Sequence, residues 1–369
     1  MVCNILLLGG TGTLSTAVLH EALVQNYHVT VMNRGTNNTN LPKGVDVIIC
    51  DYRNQTDLQD KCSSHTYDVV VDFLSRVPAD IERVYPIFKD RCKQYIFISS
   101  ACVYRRAKED FPIKETSPKP NRDWSYNTEK YESELKLQEL AKDAKSYYTI
   151  IRPYITYNEE RIPFGIAPSY KFHRTIIERI KAGKPWFVWD DGKAITTVTY
   201  TKDFAIGVVG LFLNKKAKNE DFHITGDHSY SQMEVAEMLF QKLGMPTKII
   251  SISKEKLLEA LPEYRGMLIG DRMLDAKFDN SKIKSAVPEL KFETSLSIGM
   301  EIIIHHWTNS LPLYDYRFDA QIDKMLSQNK VRSNYVAYPE KCKGAWIIYH
   351  LYRYLPTNIA NRFKKMLRL

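Results

Sequence analysis

The sequence predicts an α/β protein built on a doubly wound parallel sheet, followed by a smaller α+β region. Three observations lead there. The first 151 residues alternate short apolar runs with segments of helical spacing. Those runs do not alternate apolar with polar residues. The first of them ends in a glycine-rich loop. Strands that are apolar on both faces belong to parallel sheets covered by helices on each side.

In chain order, Cys3–Leu8 reads as a strand and Thr13–Val24 as a helix, with Leu14, Val18, Leu19 and Leu23 at helical spacing. Strands are expected at Tyr27–Met32, Val45–Cys50 and Asp68–Asp72, a helix at Ile81–Arg91, and a strand at Gln94–Ser99. A long helix over Thr128–Leu140 and a strand over Tyr147–Ile151 complete the rhythm. After Arg152-Pro153 the pattern becomes irregular. A helix is expected at Tyr170–Lys181, strands near Thr196–Tyr200 and Phe222–Thr225, and helices at Asp203–Leu213 and Gln232–Leu243. The expected organisation is a first domain over 1–155 with returning segments near 196–226. A second domain covers 156–195 and 227–310, and a basic, aromatic extension covers 311–369.

Composition narrows the class. With 44% apolar and 12% aromatic residues, the 369-residue chain can bury a core and is not expected to be disordered. Its longest uncharged apolar stretch, Phe204–Leu213, is far short of the roughly 20 residues a bilayer span needs. No secretion signal is expected, because the opening residues lack a basic segment and run straight into the glycine loop. The six cysteines, at 3, 50, 62, 92, 102 and 342, show neither zinc-ligand nor C-x-x-C spacing, so no metal is expected and a reducing cytoplasm is. Seven unopposed cations lie in 341–369 (Lys341, Lys343, Arg353, Arg362, Lys364, Lys365, Arg368). They account for most of the net charge of +9 and leave +2 for residues 1–340.

The loop after the first strand reads Gly9-Gly10-Thr11-Gly12-Thr13-Leu14-Ser15 and enters a helix. Strand, glycine loop and helix together let bare backbone approach a pyrophosphate at a helix N-terminus. Gly9, Thr11, Gly12, Thr13 and Leu14 are therefore candidate dinucleotide-binding residues, with the small Ser15 in the third glycine position. At the end of the second strand, Asn33 stands where an acid would hold the ribose of NAD; Arg34 beside it either favours the 2′-phosphate of NADP or is an ordinary exposed turn residue, in which case either cofactor binds. Asp51, after the third strand, is placed to contact adenine or to cap its strand.

Further on, the strand ending at Ser99 runs into Ser100, and Tyr126 and Lys130 follow, four residues apart on one helix face. A phenol has a reference pKa of about 10, and a nearby ammonium favours its phenolate. Tyr126 then reads as a general acid/base, Lys130 as its partner and a ribose ligand, and Ser100 as the hydroxyl that orients substrate.

These segments resemble the extended short-chain dehydrogenase/reductases, the group of NAD-dependent epimerases and dehydratases, and among them the nucleotide-sugar 4-epimerases. The resemblance rests on Gly9–Ser15, Phe97-Ile-Ser-Ser-Ala-Cys-Val-Tyr104, Tyr126 with Lys130, Ile151-Arg-Pro-Tyr-Ile-Thr-Tyr157, Tyr200-Thr-Lys-Asp203 and Asp279-Asn-Ser-Lys282. It implies a Rossmann-like fold, NAD or NADP as cofactor, a homodimer, and a Ser100–Tyr126–Lys130 triad. It adds Ser99 and Pro153 to the cofactor contacts, and Ser100, Cys102 and Tyr154 to the substrate contacts. Dehydratases of the group carry an acid after the catalytic serine, whereas Ala101-Cys102 stand here; the resemblance therefore points to an epimerase, with an NADPH-dependent keto-sugar reductase as the alternative. The group's diphosphate-clamping arginine falls at about Thr196, and Arg174 or Lys171, on the expected helix, is the substitute. A non-catalytic nucleic-acid-binding member of the same fold is the third alternative. It is disfavoured by the complete triad and by the near-neutral body of the chain.

The last residues suggest a basic amphipathic helix, with Ile359, Phe363, Met366 and Leu367 on one face. Docking of that face on the chain's own core or on a sister subunit is expected, and contact with a membrane surface is the alternative.

Overall fold

The computed structural model describes residues 3–311, 313–339 and 344–367. The chain divides into two compact units. The first comprises residues 1–157, 197–229 and 276–293, and the second 158–196, 230–275 and 294–369.

The first unit is a seven-stranded, wholly parallel sheet. Its strands are β1 (Asn4–Leu8), β2 (His28–Asn33), β3 (Asp46–Ile49), β4 (Tyr67–Asp72), β5 (Cys92–Ile98), β6 (Tyr147–Pro153) and the strand Glu220–Ile224. From one edge, the order is Glu220–Ile224, β6, β5, β4, β1, β2, β3. The connecting helices include α1 (Thr13–Val24), α2 (Gln55–Cys62), α3 (Pro78–Phe88) and α4 (Ser125–Leu140).

Both sheet faces are buried, which is why the strands read as unbroken apolar runs. Ile5, Leu7, Val29, Val31, Val69, Val71, Ile96, Ile98 and Ile151 form one core with Val18 and Leu19 of α1 and Phe204–Val209. Leu6, Leu8, Met32, Val70, Tyr95, Phe97 and Ile150 form the other with Leu58 of α2, Ile81 and Val84 of α3, and Leu137 of α4. Ile283, Ala286, Val287 and Leu290 join the first core, so residues 276–293 pack with the sheet unit although the chain order groups them with the later region.

Helix α2 has no counterpart in the sequence reading. Its QTDLQDKC buries only Leu58 and Cys62, too few apolar positions to show a period, and it is held by its Asn54 cap. Helix α3 starts earlier than expected, at Pro78, where proline suits a first turn and the Asp80 carboxylate accepts from the Arg76 and Val77 N–H groups. The segment expected as one strand over Thr196–Tyr200 is two short ones, Ile195–Thr197 and Thr199–Tyr200. The expected helix at Tyr170–Lys181 is a 3₁₀ turn, Tyr170–Phe172, followed by a helix over Arg174–Lys181.

The second unit pairs strand Trp186–Trp189 in parallel with Ile249–Ile252, among helices that include Gln232–Lys242, Leu296–Asn309, Tyr316–Gln328, Ala345–Tyr354 and Thr357–Met366. At its centre lies a buried ionic cluster. The Arg179 guanidinium pairs with Asp319 at 2.6 Å and Asp323 at 2.7 Å, and the Lys184 ammonium is 2.6 Å from both carboxylates. All four side chains are buried. The Tyr349 hydroxyl donates to Asp323, so the cluster ties the Ala345–Tyr354 helix to the rest of the unit. Tyr349, Tyr352 and Ala360 are buried here. The expected docking of the last helix's apolar face does not occur on this chain. Ile359, Phe363, Met366 and Leu367 stay exposed, because the helix packs through Ala360 instead. No helix among the described residues is long and apolar enough to cross a membrane.

Candidate active site

In this strand order the chain reverses direction between β1 and β4, and the carboxyl ends of those strands are where an open α/β sheet places its ligand. The glycine loop sits there. Gly9 adopts φ +83° and donates its N–H to the Met32 carbonyl at 2.8 Å, joining the loop to β2. A Cβ on Gly10 would lie 2.4 Å from Val31 Cγ1, so no side chain fits between the loop and β2. Gly12 is the N-cap of α1. Ser15, in the third glycine position, is buried and spends its hydroxyl on this turn: Gly12 N–H donates to Oγ at 2.9 Å. Bare backbone at Gly9 and Gly10, followed by the first turn of α1 with Thr13 and Leu14, is a cradle that fits a dinucleotide pyrophosphate.

At the end of β2 the Asn33 amide is engaged locally. Its Oδ1 accepts from Gly35 N–H and its Nδ2 donates to Asn38 Oδ1, both at 2.7 Å. Arg34 is exposed. Asp51, also exposed, accepts from the Arg53 N–H at 3.1 Å, as a turn cap does.

Ser99 and Ser100 close β5 and point differently. The Ser99 hydroxyl donates to Glu134 of α4 at 2.5 Å. Ser100 Oγ accepts from the Cys102 N–H at 3.3 Å and caps the 3₁₀ turn Ala101–Val103. Tyr126 lies in the first turn of α4, its ring 4.7 Å from that of Trp124 and beneath the Arg76 guanidinium at 5.3 Å. Lys130 is buried, and its ammonium donates to the carbonyls of Ser75 at 2.8 Å and Ile98 at 2.9 Å. One side chain thus pins the start of α4 to the ends of β4 and β5. Burial lowers the Lys130 pKa to about 8.

Behind these residues lies a buried polar network that sequence reasoning missed. Arg152 and Glu134 form a bidentate pair, at 2.9 and 2.7 Å, with both side chains 2% exposed. Arg152 also meets Asp221 at 2.6 Å and donates to the Tyr104 hydroxyl at 2.8 Å. Tyr104 touches His223 Nδ1 at 3.4 Å, and burial depresses the His223 pKa to about 4. Asp72 at the end of β4 is fully buried. It caps the Leu74 and Ser75 N–H groups and accepts from the Tyr95 hydroxyl at 2.7 Å. Glu134, Arg152 and Asp221 come from separate segments, so no local spacing signals the network.

Cys102 and Tyr154 are buried in the same unit, Tyr154 with its ring 4.8 Å from the Arg106 guanidinium, and Pro153 ends β6. Arg174 lies in the second unit, where it donates to the Ser310 carbonyl at 2.7 Å and pairs with Glu178.

Residues 5–225 match the model of the NAD dependent epimerase/dehydratase family. The chain is 26% identical to the chloroplast stem-loop binding protein of 41 kDa b of Arabidopsis thaliana over 66% of its own length, and spans 64% of that relative. It is 22% identical to 2'-dehydrokanamycin reductase of Streptomyces kanamyceticus, covering 70% of this chain and 72% of that one. The UDP-glucuronic acid 4-epimerase of Bacillus cereus, solved with UDP-glucuronic acid and NAD, shares the fold with a TM-score of 0.66 at 19% identity. That likeness covers 83% of this chain and 99% of the other. The chain belongs to the NAD dependent epimerase/dehydratase family.

Proposed function

We propose that the protein is a sugar epimerase acting on a nucleotide sugar by reversible hydride transfer, with Ser100, Tyr126 and Lys130 as its acid–base set. The observation that carries this reading is the placement of Lys130. Its buried ammonium joins the Tyr126 turn to the ends of β4 and β5, at the same carboxyl end of the sheet as the glycine cradle. The residues that would hold NAD(P) are Gly9, Thr11, Gly12, Thr13 and Leu14 at the pyrophosphate, Asn33, Arg34 and Asp51 toward the adenosine end, and Ser99, Tyr126, Lys130 and Pro153 toward the nicotinamide end. When bound, the nicotinamide supplies a reversible hydride acceptor.

The chain's own residues move the proton. The Tyr126 phenolate accepts it from the sugar hydroxyl as the C–H bond breaks and returns it afterwards. The Arg76 guanidinium lies over the ring, and Lys130 follows one helical turn along the same face. The Ser100 hydroxyl orients the reacting oxygen. Ala101 and Cys102 put no carboxyl beside it, which favours a reaction without elimination of water. Cys102 and Tyr154 line the substrate side, and Arg174 would serve it only by leaving Ser310 and Glu178.

The end of β2 supports a second reading, an NADPH-dependent keto-sugar reductase. The neutral Asn33 turned inward and the exposed Arg34 suit a 2′-phosphate, and the Streptomyces relative is named as a reductase. Denaturing the purified protein and weighing the released nucleotide separates the two. Near-stoichiometric NAD supports the epimerase, and NADP or an exchangeable NADPH site supports the reductase. No dinucleotide under any condition would overturn both and leave the nucleic-acid-binding function carried in the Arabidopsis relative's name. Tyr126→Phe should retain nucleotide and lose at least about 100-fold in turnover; near-normal turnover would refute its acid–base role.

A further inference from the structure

We infer that the helices Ala345–Tyr354 and Thr357–Met366 form a docking surface for an anionic lipid bilayer. Both present large apolar side chains to solvent. On the first, Trp346, His350 and Tyr354 form a stripe at i, i+4 and i+8, with ring centroids 4.1 and 5.9 Å apart. Trp346 is 58% exposed and Tyr354 68%. On the second, Ile359, Phe363, Met366 and Leu367 form an exposed apolar face, with Met366 at 69%. The helix touches its own unit through Ala360, which is buried, and Asn361, which accepts from the Tyr352 hydroxyl.

Charge selects the occupant. Residues 341–369 carry seven cations and no carboxylate, and Arg362 and Lys365 are exposed on the second helix itself. A second copy presenting the same face would oppose cations with cations. A nucleic acid would satisfy the charges and stack on the rings, but offers no hydrocarbon phase to Ile347, Ile359, Met366 and Leu367. An anionic leaflet supplies both. Phosphate headgroups meet the guanidinium and ammonium groups, the acyl boundary takes the aliphatic residues, and Trp and Tyr settle at the level between. The inference does not depend on which reaction the first unit performs.

The test is sedimentation of the full chain with phosphatidylcholine vesicles, with and without about one-third phosphatidylserine. The chain should pellet with the anionic vesicles and remain free with the neutral ones. Replacing Arg362, Lys364 and Lys365 by Gln should weaken binding on the order of a hundredfold, since each cation near an anionic surface contributes about fivefold. Phe363→Ser with Met366→Ser should weaken it at least tenfold. Arg362, Phe363, Lys365 and Met366 are exposed and Lys364 is half-buried, and none lies in the first unit, so circular dichroism and turnover should be unchanged. Equal sedimentation of the wild-type chain with both vesicle types, or of the wild-type and the variants, would overturn the inference. So would a wild-type chain that leaves vesicles alone but self-associates through these helices or retards a structured RNA.

Discussion

Replacing Glu134 by Gln tests whether the polar network behind Ser99 and Ser100 is a pillar of the first unit. The change keeps shape and hydrogen-bonding length and removes one charge. Arg152, 2% exposed, then loses its bidentate partner. Removing one side of a buried ion pair costs roughly 3–5 kcal/mol, because the other charge is left inside without compensation. Asp221 still meets Arg152 at 2.6 Å, which places the expected loss at the lower end, about 3 kcal/mol. In thermal unfolding, at 2–4 °C per kcal/mol for a unit of this size, the midpoint should fall by about 6–12 °C. The double variant Glu134→Gln with Arg152→Met should recover more than half of that loss, since it removes the stranded cation and leaves Asp221 paired with Lys282 at 3.2 Å. A single variant within about 0.5 kcal/mol of the parent would refute the reasoning, as would a double variant whose losses simply add.

Three further outcomes follow from the same structure. Lys130→Met should lower turnover by about 10²–10⁴-fold and lower the unfolding midpoint by a few degrees, since it also removes the hydrogen bonds to the Ser75 and Ile98 carbonyls; near-normal turnover in the folded variant would make the residue structural only. Stability should drop as pH falls from about 6.5 to about 4. Buried His223, with its folded pKa near 4, resists the proton that the unfolded chain accepts, and urea midpoints should show a shallower slope over that window in His223→Gln. Gly10→Ala should cost about 1–3 kcal/mol and lose bound dinucleotide, and Val31→Ala in the same chain should restore part of both, since the added methyl meets the Val31 side chain.

Much of the sheet was legible because its residues announce themselves locally. Strand β1 is Asn-Ile-Leu-Leu-Leu with four buried residues in a row, and helix α1 fell on its expected bounds, Thr13–Val24. Tyr126 and Lys130 fall one helical turn apart on α4, and the glycine loop falls between β1 and α1, where their local spacing put them. What escaped depends on distant segments. Glu134 meets an arginine 18 residues on and Asp221 reaches that same arginine from another strand; Arg76 arrives over Tyr126 from the loop after β4. Helix α2 escaped for the opposite reason: its eight residues bury only two apolar side chains, and a cap rather than a pattern starts it. The unburied face of Thr357–Met366 escaped because amphipathic spacing states that a face exists and not what covers it.

The ionic cluster of the second unit bears on how the protein is made. Arg179 and Lys184 emerge from the ribosome well before Asp319 and Asp323, which neutralise them. Until those acids are synthesised, the nascent unit must either keep both cations in water or stay open, so its closure waits for Asp319 and Asp323. The sheet unit likewise waits for 276–293 to complete its core. Neither half can be finished during translation of the other, and a stalled or shortened product would expose two unfinished cores at once, the kind of species that chaperones bind.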